Sequence, residues 1–166
     1  MPWQAKDPAF AERVRTSFEK QAFMGTLGAR LGRVAPGEVD IELPVREALT
    51  QQHGYVHAGA LASVLDSAAG YAAFTLMPAG AAVLSIEFKI NMLEPARGRS
   101  IVARGRVLRA GRTITACRAD AIALKRVGQR LFLAGTNDDS HYYAVAELLR
   151  RWGCRWLESS SAASPA

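Results

Sequence analysis

His57-Ala58-Gly59-Ala60-Leu61-Ala62-Ser63-Val64-Leu65-Asp66-Ser67-Ala68-Ala69-Gly70-Tyr71-Ala72-Ala73-Phe74 is the stretch that decides how this chain folds. Asp66 is the sole formally charged side chain between His57 and Glu87, and its neighbours are nearly all small or apolar. The segment therefore reads as a helix with no broad polar face, and such a helix is normally buried. A carboxylate carried into it is costly unless it is paired, hydrogen-bonded or able to take a proton. Acids held in such surroundings beside a cleft tend to be functional, and Asp66 is a candidate general base.

The start of the helix carries the second half of the signal. Its first backbone N–H groups lack intrahelical partners and sit at the positive end of the helix dipole. Gly59 and the small residues around it let a ligand's carbonyl oxygen come close, so main-chain amides alone can form an oxyanion site. Ala58 and Asp66 are eight residues apart, about 12 Å along a helix axis. One carbonyl needs its oxyanion donor and its attacking group within roughly 6 Å of each other. A single copy of the helix does not meet that condition, whereas two copies related by a two-fold axis do. The spacing predicts a homodimer with shared sites.

Working outward, Asp7 or Pro8 opens a helix through Phe10, Val14, Phe18 and Phe23, ended by Gly25 and Gly28. Thr26 to Val34 and Glu38 to Leu43 read as strands joined at Ala35-Pro36-Gly37. A loop from Pro44 to Tyr55 leads into the central helix. After Pro78-Ala79-Gly80, Leu84, Ile86, Phe88, Ile90 and Met92 alternate with Ser85, Glu87, Lys89 and Asn91, the pattern of a strand with one core face and one wet face. Ser100 to Leu108, Thr113 to Lys125 and Arg130 to Thr136 complete the strands, and their hairpin-length connections make the sheet antiparallel. The expected architecture is α+β, one apolar helix wrapped by a long curved antiparallel sheet. Residues 1–24 form an N-terminal helix, 25–138 the sheet-and-helix domain, and 139–166 a basic amphipathic helix (Tyr142 to Leu157) with a disordered tail.

The 166 residues, 49% of them apolar, suit one domain with a real core. The net charge of +6 comes largely from arginine, which suits bidentate phosphate recognition. No recognition helix or aromatic-basic platform accompanies it, so nucleic acid is not an expected partner. Asp66, Gly70 and Pro78 argue against a membrane span in the long apolar run. Two cysteines without CxxC spacing and an N-terminus unlike a signal peptide point to the cytoplasm.

The segment Gln51…His57-Ala58-Gly59…Asp66…Gly70, followed by Leu84-Ser85-Ile86-Glu87-Phe88 and Glu94-Pro95, resembles the hotdog-fold acyl-CoA thioesterases, in particular the PaaI-like branch. The resemblance covers about Gly25 to Thr136 and implies hydrolysis of acyl-CoA to free acid and CoA at sites shared across a dimer, often a dimer of dimers. It implies Asp66 as the acid that activates water or attacks the thioester, Ala58 as the N–H donor, and His57 with Gly59 as the residues shaping the helix start. It sets Gln51 near the thioester and Ser85 where some relatives use a hydroxyl to hold the water. Ala58 stands where the motif usually has glycine, and Gln51 is one methylene longer than the commoner asparagine.

Arg97, Arg99, Arg109 and Arg112 lie at turns and are candidates for the phosphates of coenzyme A. No separate cofactor is implied, since coenzyme A is part of the substrate. His53 and His57 have i, i+4 spacing, but Gly54 intervenes and no third ligand is near, so no metal is expected. There is no GxSxG elbow, P-loop or GxGxxG. The competing readings on the same architecture are a non-catalytic acyl-CoA sensor and a hydratase or dehydratase. Ser63, Ser67, Tyr71 and Phe74 are candidate pocket residues; aromatic, medium-chain and long-chain acyl groups all stay open, and the abundance of alanine, which leaves room for an extended tunnel, tilts the reading mildly toward fatty acyl chains.

Overall fold

The computed structural model describes residues 3–127 and 130–135. Chain order runs α1 (Phe10–Glu19), α2 (Ala22–Leu27), β1 (Arg30–Ala35), β2 (Glu38–Pro44), a 3-10 turn (Glu47–Leu49), α3 (Ala58–Phe74), β3 (Ser100–Ala110), β4 (Thr115–Val127) and β5 (Arg130–Gly135). The strands form one sheet in the order β1-β2-β3-β4-β5, every pair antiparallel. Helix α3 lies across β2, β3 and β4. The expected α+β architecture of one apolar helix against a long antiparallel sheet is therefore present.

The reasons are local. In β2, Val39, Ile41 and Leu43 are fully buried while the residues between them stay half-exposed, the two-residue period of a strand with one covered face. Gly37, at φ +75°, supplies the left-handed backbone of the β1–β2 turn. On α3, Ala60, Ala68, Ala72 and Ala73 are buried beside Leu61, Val64 and Leu65. These small side chains let the helix sink onto the sheet. At the closest approach, a Cβ built on Gly105 of β3 would stand 2.1 Å from the Ala68 carbonyl oxygen, so a residue without a side chain is required there.

The helix has a definite direction over the sheet. Val56 N–H donates to the Ala96 carbonyl at 3.0 Å, just ahead of β3. The backbone of Ala73, at the other end of α3, hydrogen-bonds Cys117, which pairs with Val107. The N-terminus of α3 thus sits over the start of β3 and its C-terminus over the far end. Arg13 of α1 clamps that C-terminus, donating to the carbonyls of Phe74, Met77 and Pro78 at 3.2, 2.7 and 3.0 Å. A cation placed on the last carbonyls of a helix complements both their lone pairs and the dipole.

Three expectations need correction. The first helix is two helices, because the chain breaks at Lys20-Gln21 and α2 closes on Gly28 at φ +71°, with Ala29 N–H bonded back to the Met24 carbonyl. Phe23 consequently leaves the apolar stripe and is exposed, while Val14 and Phe18 stay buried. The strand expected from Thr26 begins at Arg30, since α2 occupies the residues before it and spans the expected boundary at residue 24. The third correction is the largest: Leu84 to Met92 joins no ladder of the described residues. Leu84, Ile86 and Phe88 are 88%, 80% and 58% exposed. The expected helix of Tyr142 to Leu157 and the tail lie outside the described residues.

Candidate active site

Asp66 lies on the second turn of α3 beyond its first, half-buried rather than sequestered. Its carboxylate faces a cavity of about 610 Å³ between α3, α1 and residues 81–85. Ser85 Oγ donates to Asp66 Oδ1 at 2.6 Å, a short bond of the charge-assisted kind. Leu84 borders the same cavity as Ser85, so strict alternation does not separate the two. The expectation placed the apolar residues of this segment in the core; instead Ser85 meets the acid, and Leu84, Ile86 and Phe88 are exposed.

At the head of α3, His57 is the N-cap, its backbone extended and its Nδ1 accepting the Gly59 N–H at 2.9 Å. The amides of Ala60 and Leu61 donate to the His57 carbonyl at 3.0 and 3.3 Å. Three of the first four amides are thus engaged locally, and Ala58 holds the remaining one. His57, Ala58 and Gly59 are all exposed. An exposed amide at a helix N-terminus is a ready donor to a developing oxyanion. Asp66 lies eight residues further along the same unbroken helix, so the two groups of one protomer remain about 12 Å apart along the axis.

Gln51 closes the preceding loop. Its side-chain carbonyl accepts the His53 N–H, and its backbone pairs with Tyr55 at 2.8 Å. The four candidate arginines fall into two groups. Arg97 and Arg99 border a cavity of about 310 Å³ with Val45, Gly54, Val56 and Gly98, next to the head of α3. The Arg97 guanidinium lies over the Tyr55 ring at 4.1 Å from its centroid and hydrogen-bonds its hydroxyl. Arg109 ends β3 and Arg112 sits in the turn beyond, about 30 Å along the strand from Arg99 at the rise per residue of a β-strand. Within one protomer the two pairs do not meet.

Two lining residues escaped the sequence reading. Ser17 and Gln21 of the N-terminal segment, one helical turn apart, border the Asp66 cavity opposite Ser67, Gly70, Tyr71 and Phe74. The only trace they leave in sequence is a polar pair at i, i+4 flanking Phe18. Ser63 is turned elsewhere, its hydroxyl donating to the Gly59 carbonyl at 2.7 Å. Cys117 lies toward the C-terminal end of α3, and burial pushes its thiol up despite the Ala73 backbone bond, which lowers it, an environment that makes a poor nucleophile.

A helix wrapped by an antiparallel sheet, an acid partway along that helix and an open amide at its head define a class. The profile of the Thioesterase superfamily matches residues 53–128. A thioesterase family protein from Silicibacter pomeroyi is 47% identical in the superposed region, which covers 76% of this chain and 91% of that one, at a TM-score of 0.71. A protein of Halobacterium salinarum named as a candidate esterase is 29% identical over 109 residues, 63% of this chain and 72% of that one. The chain belongs to the thioesterase superfamily, a family of acyl-thioester hydrolases, and its fold is the hotdog fold. That fold is shared with the PaaI protein of the E. coli phenylacetic acid degradation operon, at 20% identity, 76% and 88% coverage and a TM-score of 0.61. No helix among the described residues is long and apolar enough to cross a membrane.

Proposed function

We propose that this protein hydrolyses acyl-CoA thioesters to the free acid and CoA, with Asp66 as the group that delivers the attack. The observation that carries the reading is the Asp66 carboxylate, held by Ser85 at 2.6 Å on the wall of a cavity large enough for an acyl group. Asp66 takes a proton from water as water adds to the thioester carbon, or adds to that carbon itself. The carbonyl oxygen becomes an oxyanion in either route, and the Ala58 N–H at a helix head offsets its charge. Collapse of the tetrahedral intermediate breaks the C–S bond. In the water route the free acid forms and the proton held by Asp66 passes to the departing thiolate. In the direct route the thiolate takes its proton from solvent, and water then cleaves the acyl–Asp66 anhydride to release the acid and restore the carboxylate.

The donor belongs to a second copy of the chain, since 12 Å on one helix separates groups that one carbonyl needs together. The segment carrying Ser85 supports the same arrangement. A segment that pairs with no described strand and has Leu84, Ile86 and Phe88 in the open is a template for pairing, and a two-fold axis pairs it with itself. Arg97 and Arg99, beside the head of α3, are the arginines we assign to the phosphates of CoA. Arg109 and Arg112 of the same protomer are left outside that cluster.

The decisive assay traps released thiol from a panel of acyl-CoAs. Wild-type protein is expected to release CoA, and Asp66→Asn to lose at least about a hundredfold of that rate. Equal rates in the two proteins overturn the assignment. Tight acyl-CoA binding by wild type with no release would favour the sensor on the same fold.

A further inference from the structure

The cavity beside Asp66 has a polar wall that hydrolysis does not use. Ser67 Oγ donates to Gln21 Oε1 at 3.4 Å, and the Tyr71 hydroxyl meets Ser17 Oγ at 3.3 Å. All four residues border the cavity. Both contacts are long beside the roughly 2.7–2.8 Å usual for a hydroxyl donor. Each hydroxyl offers one donor and two acceptor positions, so a contact of this length leaves capacity for a further partner. The Tyr71 ring is fixed, 6% exposed, with the rings of Phe18 and Phe74 at 5.8 and 6.2 Å. Its hydroxyl is therefore aimed by packing and not free to swing away.

The spacing along α3 gives the wall a depth. Ser67 follows Asp66 directly, and Tyr71 lies five residues on, about 7.5 Å along the axis. An acyl chain entering from Asp66 toward the C-terminal end of α3 passes one polar pair and then the other. A chain of methylenes alone would take water from these groups and return nothing, which is costly for any polar group left without a partner. A chain carrying its own oxygen or nitrogen at that depth replaces the water.

We propose that the pocket selects acyl groups bearing a hydrogen-bonding oxygen or nitrogen several ångströms from the thioester carbon, in preference to plain alkyl chains of the same length. Tyr71, Ser17, Gln21 and Ser67 are the specificity determinants, so the N-terminal helix is part of the acyl site. The inference rests on the hydrolase reading above for what enters the cavity, and it displaces the fatty-acyl expectation drawn from the alanine content of α3.

The test compares hexanoyl-CoA with its ω-hydroxy analogue. Two quantities are measured for each: kcat/KM on wild-type protein, and Kd by calorimetry on Asp66→Asn, which holds the thioester uncleaved. The hydroxylated chain is expected to be favoured by about tenfold or more in both. Tyr71→Phe and Gln21→Met, each close to volume-conserving, are expected to bring the binding ratio down toward unity. Should one variant fail to fold, the other carries the comparison. A binding preference without CoA release by wild type leaves the pocket assignment standing and defeats the hydrolase reading. A binding ratio of one or below, or a ratio untouched by both substitutions, overturns the pocket assignment whatever the turnover.

Discussion

Glu38–Pro44 and Leu84–Met92 carry the same alternation of apolar and polar residues, and the fold treats them in opposite ways. In the first, Val39, Ile41 and Leu43 are fully buried beneath α3, and the strand pairs on both sides. In the second, Leu84, Ile86 and Phe88 stand in the open and no described strand pairs with the backbone. Alternation states which side chains seek cover. It does not state what provides it. β2 is covered from within the chain, and we read the second segment as covered by another copy of it. That assigns the core of the protomer to one face of the sheet and completion of the active site to a surface the protomer leaves unfinished.

The sealed side should tolerate change least. Gly105 meets the helix backbone itself, with the Ala68 carbonyl oxygen 2.1 Å from where a Cβ would stand. No rotamer relieves that contact, because the obstacle is main chain on one side and a central strand on the other. Gly105→Val is expected to cost more than about 3 kcal/mol, the upper range for overpacking, and to leave little folded protein. Urea unfolding followed by circular dichroism measures it. A variant with the wild-type midpoint would mean that the helix does not ride on β3 as described.

The open side should respond in the assembly and not in the protomer. Ile86→Asp with Phe88→Asp sets carboxylates on the segment we propose pairs with its own copy, and like charges brought together across an interface cost several kcal/mol. Sedimentation velocity is expected to show loss of the dimer, with CoA release falling alongside it because the donor and the acid then belong to separate molecules. Far-UV circular dichroism should stay close to wild type, since neither side chain is buried in the protomer. Full activity from a monomeric double variant would break the shared-site reading.

These contrasts also mark how far the sequence could be read. The central helix and the place of its acid were legible because each rests on local order: small residues in an uncharged run and one carboxylate. The β1–β2 turn and the strand alternation of Val39, Ile41 and Leu43 were legible for the same reason. What failed was whatever depends on distant chain. The break at Lys20-Gln21 moved Phe23 out to solvent, which a continuous stripe through Val14 and Phe18 does not reveal. Ser17 meets Tyr71 across 54 residues of sequence, and no periodicity announces that the N-terminal helix walls the site. Asp66 was read as buried in an apolar spine, whereas folding turns its side of the helix toward a cavity and a serine.

The Ser85 contact sharpens the comparison at its finest grain, since it is where the open segment touches the acid. A donor at 2.6 Å fixes one carboxylate oxygen and so aims the other. We propose that Ser85 acts through Asp66 as a positioning residue. Hydrogen bonds to charged groups contribute about 1.5–3 kcal/mol, and only the part that aims the carboxylate at the transition state reaches the rate. Ser85→Ala is therefore expected to lower kcat about tenfold with KM little changed, and Ser85→Thr, which keeps the hydroxyl, to recover most of it. A structural role would behave otherwise: both substitutions would then act through stability, and thermal midpoints would track the loss. A rise in KM at constant kcat would instead move Ser85 from the acid to the acyl group.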